Sequence, residues 1–221
     1  MSISDNIKNI KASIPEYVSL VAVSKFHPAE AVMEAYDAGQ RIFGESRAQE
    51  LKLKYQTLPA DIEWHFIGQL QSNKVKDIAP FVHTIHSIDS IKLIEEVEKH
   101  ASKHKRQIRI LLEIHVAKEE SKAGFSSEEC FSILDSGIQD KYPNTIICGL
   151  MGMATNTEDE TLVREEFQTL NNLFKEVKNK YFATDNNFSI LSMGMSSDYS
   201  IAIKEGSNMI RVGSNIFGSR Y

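Results

Sequence analysis

The sequence predicts an α/β fold, a single parallel (β/α)8 TIM-type barrel over residues 1–221 preceded by an N-terminal helix. Three observations carry this reading. Eight short apolar runs alternate with segments of helical periodicity. No low-complexity linker interrupts them. Only residues 213–221 follow the eighth run, so the opening helix has to cover the gap beside it. A chain of 221 residues suits one such barrel. A doubly wound open sheet rarely uses eight strands in so short a chain.

Ile3, Ile7, Ile10 and Ile14 lie at helical spacing and predict a helix over 3–14, stopped by Pro15. The first strand follows at 19–23. A helix over 29–38 has Gly39 at its C′ position. The second strand is 41–44, and a helix over 49–58 ends at Pro59. The third strand is 64–68, with a helix over 72–79 stopped by Pro80. The fourth strand is 82–86, and Asp89 is expected to cap a helix over 91–103. The fifth strand, 108–116, precedes a polar loop at 117–125 and a helix over 127–134. Ser136-Gly137 then reads as a turn. The sixth strand is 145–151. A long helix over 159–180 buries Leu162, Phe167, Leu170, Leu173, Phe174 and Val177. The seventh strand is 188–193, a short helix spans 198–205, and the eighth strand is 209–212.

Composition narrows the class. Apolar residues make up 42% of the chain, enough for a sizeable core. The net charge of −5, with no basic run, argues against nucleic acid as a partner. No window reaches the length of apolar chain a membrane helix requires, and the N-terminus carries no apolar leader. Cys130 and Cys148 are far apart in sequence and read as free thiols of a reducing compartment, which places the protein in the cytoplasm.

Lys25 stands just after the apolar run that ends at Val23. An ammonium there either buries its stem and snorkels to water or serves as a desolvated nucleophile. Such a lysine can form a Schiff base with a carbonyl compound. In this fold ligands sit at the C-terminal strand ends, and the loops after strands 7 and 8 commonly bind phosphate. Here those loops carry Met195-Ser196-Ser197 and Gly213-Ser214. Arg211 interrupts the eighth strand between Ile210 and Val212. A buried guanidinium needs an acceptor. An amine, a phosphate cradle and a guanidinium together match pyridoxal 5′-phosphate, with the arginine on the ring nitrogen. An arginine keeps that nitrogen unprotonated and weakens the ring as an electron sink.

Other candidates carry less. His65 either lines the mouth or packs in the core. His83 with His86, or His100 with His104, are the histidine pairs nearest to metal spacing, and no metal ligand is assigned. Lys118 and Lys122 sit in a polar loop. Met151, Met153, Met193 and Met195 read as core filler, although Met195 borders the cradle.

Seven segments together resemble one family: A-V-S-K at 22–25, F-G-E-S at 43–46, W-H-F-I-G-Q-L-Q-S-N-K at 64–74, E-E-S-K-A-G at 119–124, G-L-M-G-M-A at 149–154, L-S-M-G-M-S-S-D at 191–198 and R-V-G-S-N-I-F-G at 211–218. They span nearly the whole chain and are similar to the pyridoxal phosphate homeostasis proteins. That family resembles the N-terminal barrel domain of alanine racemase, a fold-type III pyridoxal phosphate protein. The resemblance implies a Schiff base on Lys25 and Arg211 as partner of the ring nitrogen. It also implies Ser196, Gly213 and Ser214 as phosphate contacts. The cofactor set expected is Lys25, Ser46, His65, Met195, Ser196, Arg211, Gly213 and Ser214. Many members carry Asn where Ser46 stands, Pro at the position of Gln69 and Thr at that of Ser214. The expected role is a non-catalytic, monomeric carrier that buffers pyridoxal phosphate and delivers it to apoenzymes. The alternative is an amino-acid racemase, which needs bases on both faces of the substrate carbon. Alanine racemase takes its second base, a tyrosine, from an additional β domain across a dimer. In this chain only Tyr199 and Tyr221 lie near the last strand ends.

Overall fold

The structure is a computed structural model that describes residues 2–119 and 123–218. Eight parallel strands close into a barrel in sequence order. The strands are β1 (Ser19–Val23), β2 (Ile42–Glu45), β3 (Glu63–Phe66), β4 (Thr84–Ile88), β5 (Ile108–Ile114), β6 (Thr145–Gly152), β7 (Ile190–Ser192) and β8 (Met209–Val212). The helices are α1 (Ile3–Ser13), α2 (Ala29–Asp37), α3 (Ala48–Thr57), α4 (Val75–Ile78), α5 (Ile91–Lys103), α6 (Ser127–Asp135), α7 (Ile138–Lys141), α8 (Glu160–Tyr181), α9 (Tyr199–Lys204) and α10 (Ser214–Phe217). No described helix is long and apolar enough to cross a membrane.

Helix α1 covers the gap beside the last strand, as expected. Ser2 caps it in a reciprocal box with Asp5. Its Asn6 side-chain amide donates to the Ile216 carbonyl at 2.9 Å, tying α1 to α10. Ile7 and Ile10 are its buried residues.

Strand alternation divides the barrel. Leu20, Ala22, Phe43, Trp64 and Phe66 join the large core that includes helix residues Ile7, Val32 and Leu51. Residues of the opposite parity meet inside. His86 on β4 reaches Ser192 on β7, strands that are not neighbours, so this contact crosses the barrel interior. Leu111, Cys148 and Met151 form a separate apolar cluster. Both cysteines are free and buried, and burial pushes Cys130 up to about 12 and Cys148 up to about 11. They are therefore protonated and unreactive at neutral pH.

Several boundaries differ from the sequence expectation. The fourth strand starts at Thr84 rather than 82, because the Phe81 and Val82 amides still donate to the Ile78 carbonyl and close α4. The segment 72–79 begins as a 3-10 turn, Ser72–Lys74. Ser90, not Asp89, sits at the N-cap of α5. Ser136-Gly137 does more than turn the chain: Gly137, at φ 72, opens the extra helix α7. Strand β7 is only three residues long, and the Asn208 side chain takes over pairing at the Leu191 amide. On α8 Val163 and Glu166 are buried, whereas Leu162 and Phe174 are only partly covered.

Candidate functional site

A cavity of about 440 Å³ opens at the C-terminal strand ends. Its wall includes Lys25, Met195, Ser196, Arg211, Gly213 and Ser214, six of the eight residues expected from sequence. Ser46 and His65 are not in the wall. The Ser46 backbone packs against Gly68, so close that a Cβ on Gly68 would stand 2.7 Å from Ser46 Cα. His65 is buried inside the barrel. The wall adds His27, Ile67, Met153, Ser197 and Asn215. Met195 is half-exposed rather than core filler, whereas Met151 and Met193 are buried. Lys118 is not in the wall and donates its backbone amide to Thr155 Oγ1, and Lys122 lies outside the described residues.

Lys25 occupies the turn after β1 and is only partly covered. The next residue, Phe26, takes a left-handed conformation at φ 68, which costs a non-glycine residue of order 1 kcal/mol or more. The side facing Lys25 is built by two tied turns. Ser196 Oγ accepts from the Gly213 amide at 3.2 Å, and the Asn215 side-chain amide donates to the Ser196 carbonyl at 3.1 Å. Gly213 also lies close to β1: a Cβ there would stand 3.2 Å from the Val23 carbonyl oxygen, a tight contact that glycine avoids. The first amides of α10 have no intrahelical acceptor, and Ser196 and Ser214 line the same cavity.

Arg211 is buried and fixed. One terminal nitrogen donates to the Ser192 carbonyl at 2.9 Å and to Ser192 Oγ at 2.6 Å; the other donates to the Gly152 carbonyl at 3.0 Å. These contacts use three of its five N–H groups. Burial pushes the guanidinium down to about 10, against the pull of Asp198 and Glu113, so it stays charged at neutral pH.

Behind Arg211 runs a chain that sequence reasoning missed. Ser192 Oγ meets His86 Nδ1 at 3.1 Å, and His86 Nε2 meets His65 Nδ1 at 2.8 Å. Arginine can only donate, which assigns the direction: Ser192 donates to His86, and His86 donates to His65. His65 Nε2 then carries its proton and has no partner among the described residues. Burial pushes His65 down to about 3 and His86 well below its ordinary value, so both are neutral at pH 7.

His83 does not join His86 in a metal site. It stacks on His65, with ring centroids 5.5 Å apart, at the opposite end of the barrel. Glu63, His65 and His83 do converge there, their ligating atoms within 4.8 Å of one another. Arg109 and Arg106 both bear on His83, and two guanidiniums against one carboxylate oppose a cation.

Glu113 gives a pH prediction. Burial, and then Asp89, push its carboxyl up to about 7, while Arg211 pulls the other way. A raised carboxyl means that the folded state binds more protons than the unfolded one, so stability falls as pH rises from about 4.5 to 7. Glu113→Gln should therefore gain stability relative to wild type on going from pH 5 to pH 8, by up to about 3 kcal/mol. Urea midpoints at the two pH values measure this; an equal effect at both would contradict it.

A lysine, serines and a fixed guanidinium share one cavity of a closed eight-stranded barrel, and the chain belongs to the alanine racemase N-terminal class. The chain matches the family model "Alanine racemase, N-terminal domain" over residues 1–221. Within that class it belongs to the pyridoxal phosphate homeostasis protein family. It is 36% identical to the pyridoxal phosphate homeostasis protein of Vibrio alginolyticus, over 99% of this chain and 98% of the relative. It is 38% identical to the protein of the same name from Aquifex aeolicus, over 91% of this chain and 86% of the relative. Among solved structures, PipY of Synechococcus elongatus with PLP bound superposes with a TM-score of 0.89 at 34% identity, covering 98% of this chain and 100% of PipY. An alanine racemase of Clostridium difficile shares the fold, with a TM-score of 0.77 at 17% identity; the match covers 99% of this chain and 56% of the racemase.

Proposed function

We propose that the protein binds pyridoxal 5′-phosphate covalently through Lys25 and serves its intracellular homeostasis, buffering the cofactor and delivering it to apoenzymes. The observation that carries this is the shared cavity: Lys25, Arg211 and the Ser196 and Gly213-Ser214 turns line one space. About 440 Å³ lies in the range of small-ligand pockets, and the donor set suits a phosphorylated aldehyde with a ring nitrogen. When bound, pyridoxal phosphate supplies an aldehyde that captures amines reversibly and a ring that withdraws electrons. Lys25 Nζ anchors the aldehyde. Ser196, Ser214 and the first amides of α10 hold the phosphate, and Arg211 presents a permanent donor to the ring nitrogen. Met195 shields the cofactor from water. Ser46 and His65 act from behind the wall, Ser46 through the backbone at Gly68 and His65 through the Ser192–His86 chain that orients Arg211.

The role is that of a non-catalytic, monomeric, cytoplasmic carrier, with residues 1–221 forming one functional unit. A racemase requires a second base over the ligand. Tyr199 is not in the cavity wall, and Tyr221 lies outside the described residues. The Arg211 donor also favours storage over carbanion chemistry. Purified protein mixed with pyridoxal phosphate should turn yellow with a 1:1 end point. It should exchange the α-proton of L-alanine in deuterated water no faster than free cofactor. A colourless mixture would sink the binding proposal; rapid exchange lost in Lys25→Ala would establish the racemase instead.

A further inference from the structure

Lys25 has neighbours on both sides that one buried ion pair on α3 holds. Lys54, on α3, is 6% exposed. Its Nζ donates to the Ser24 carbonyl at 2.8 Å, to Glu45 Oε1 at 2.6 Å and to Glu50 Oε1 at 2.9 Å. A lysine has three N–H groups, so these three acceptors use all of them. Each acceptor belongs to a different segment: the turn after β1, the end of β2, and the first turn of α3. Ser24 also donates through Oγ to Glu45 Oε1 at 2.6 Å. Glu50 Oε1, the atom that Lys54 contacts, accepts from the Phe26 amide at 2.8 Å. Arg47 lies over the Phe26 ring, 4.6 Å from its centroid. The residue before Lys25 is thus fastened to α3 through Lys54, and the residue after it through Glu50, which Lys54 in turn holds. The left-handed Phe26 backbone needs such a restraint to persist.

We propose that Lys54 and Glu50 are positioning residues for Lys25: they clamp the turn at residues 24–26 so that its amine is presented to the aldehyde-bearing ligand of the cavity. This rests on the cofactor reading given above. The clamp touches neither the Ser196 and Ser214 hydroxyls nor Arg211. It therefore governs the covalent step and leaves the noncovalent contacts to phosphate and ring intact. Glu50 is the cleaner place to test it, because its side chain is only partly buried, whereas removing Lys54 alone strands the fully buried Glu45 carboxylate.

The test compares Glu50→Ala and Glu50→Gln with wild type, using two probes. One is the rate at which pyridoxal 5′-phosphate becomes fixed to protein by borohydride. The other is affinity for pyridoxine 5′-phosphate, which has the same phosphate and ring but no aldehyde. Glu50→Ala should slow capture about tenfold, a typical effect of losing a charge-assisted hydrogen bond. Glu50→Gln retains an acceptor for the Phe26 amide and should stay within about twofold of wild type. Affinity for pyridoxine phosphate should be unchanged in both. A Glu45→Gln, Lys54→Met double variant removes both charges and should fold yet capture as slowly as Glu50→Ala. Wild-type capture rates in Glu50→Ala and in the double variant would overturn the proposal. So would an equal fall in pyridoxine phosphate affinity, which would mark a general collapse of the site. Failure of the wild-type protein itself to capture pyridoxal phosphate would instead refute the cofactor reading, and the control distinguishes the two.

Discussion

Lys25→Ala is expected to lose the visible absorbance band of protein-bound pyridoxal phosphate and to yield no borohydride-stable adduct. The cavity keeps its other contacts in this variant: the Ser196 and Ser214 hydroxyls, the first amides of α10 and the fixed Arg211 guanidinium. The ligand should therefore still bind, but weakly and reversibly, with apparent affinity lower by on the order of a hundredfold or more. The fold should tolerate the change, because the Lys25 side chain lies only partly covered at the cavity mouth and the clamp from α3 acts on its neighbours. Titration followed by absorbance and by dialysis separates the two effects. Wild-type affinity in Lys25→Ala would mean that the phosphate and ring contacts do all the holding.

Arg211→Ala is expected to cost stability as well as cofactor. Its loss leaves the Ser192 and Gly152 carbonyls without their donor and removes the cation that draws on the buried Glu113 carboxyl. Truncating a buried, hydrogen-bonded charge should destabilise the barrel by about 3 kcal/mol. Arg211→Lys keeps the charge but not the fork that reaches β6 and β7 together, so it should recover only part of that stability and little of the binding. Thermal melts with and without pyridoxal phosphate measure both quantities. A variant that melts like wild type and is stabilised equally by cofactor would remove Arg211 from both roles.

The same residue shows what the sequence can and cannot carry. Arg211 stands out because a lone guanidinium inside a four-residue apolar strand demands an acceptor. Lys25 stands out for the same reason at the end of β1. Both strands were legible to the residue, since each apolar run is bounded by polar or turn residues on both sides. The start of β4 was not, because Val82 and His83 continue a β-like pattern while the backbone is still closing α4. The acceptors of Arg211 were hidden as well. Gly152 contributes a carbonyl, which any residue has. Ser192 meets His86 only because closure of the barrel brings β4 and β7 face to face across its interior. Lys54 reads in sequence as one more lysine on a polar helix. Its burial depends on α3 packing where Glu45 and the Ser24 carbonyl converge, a property of tertiary structure rather than of spacing. Ser46 was expected at the ring side from the resemblance of F-G-E-S at 43–46; the structure leaves it out of the cavity wall and packs its backbone against Gly68.

The most direct measurement is peptide mapping of the wild-type protein after pyridoxal phosphate is added and reduced with borohydride. One equivalent of label, confined to the peptide that contains Lys25, is the predicted result. Label spread over surface lysines such as Lys118, or concentrated on any lysine other than Lys25, would contradict it.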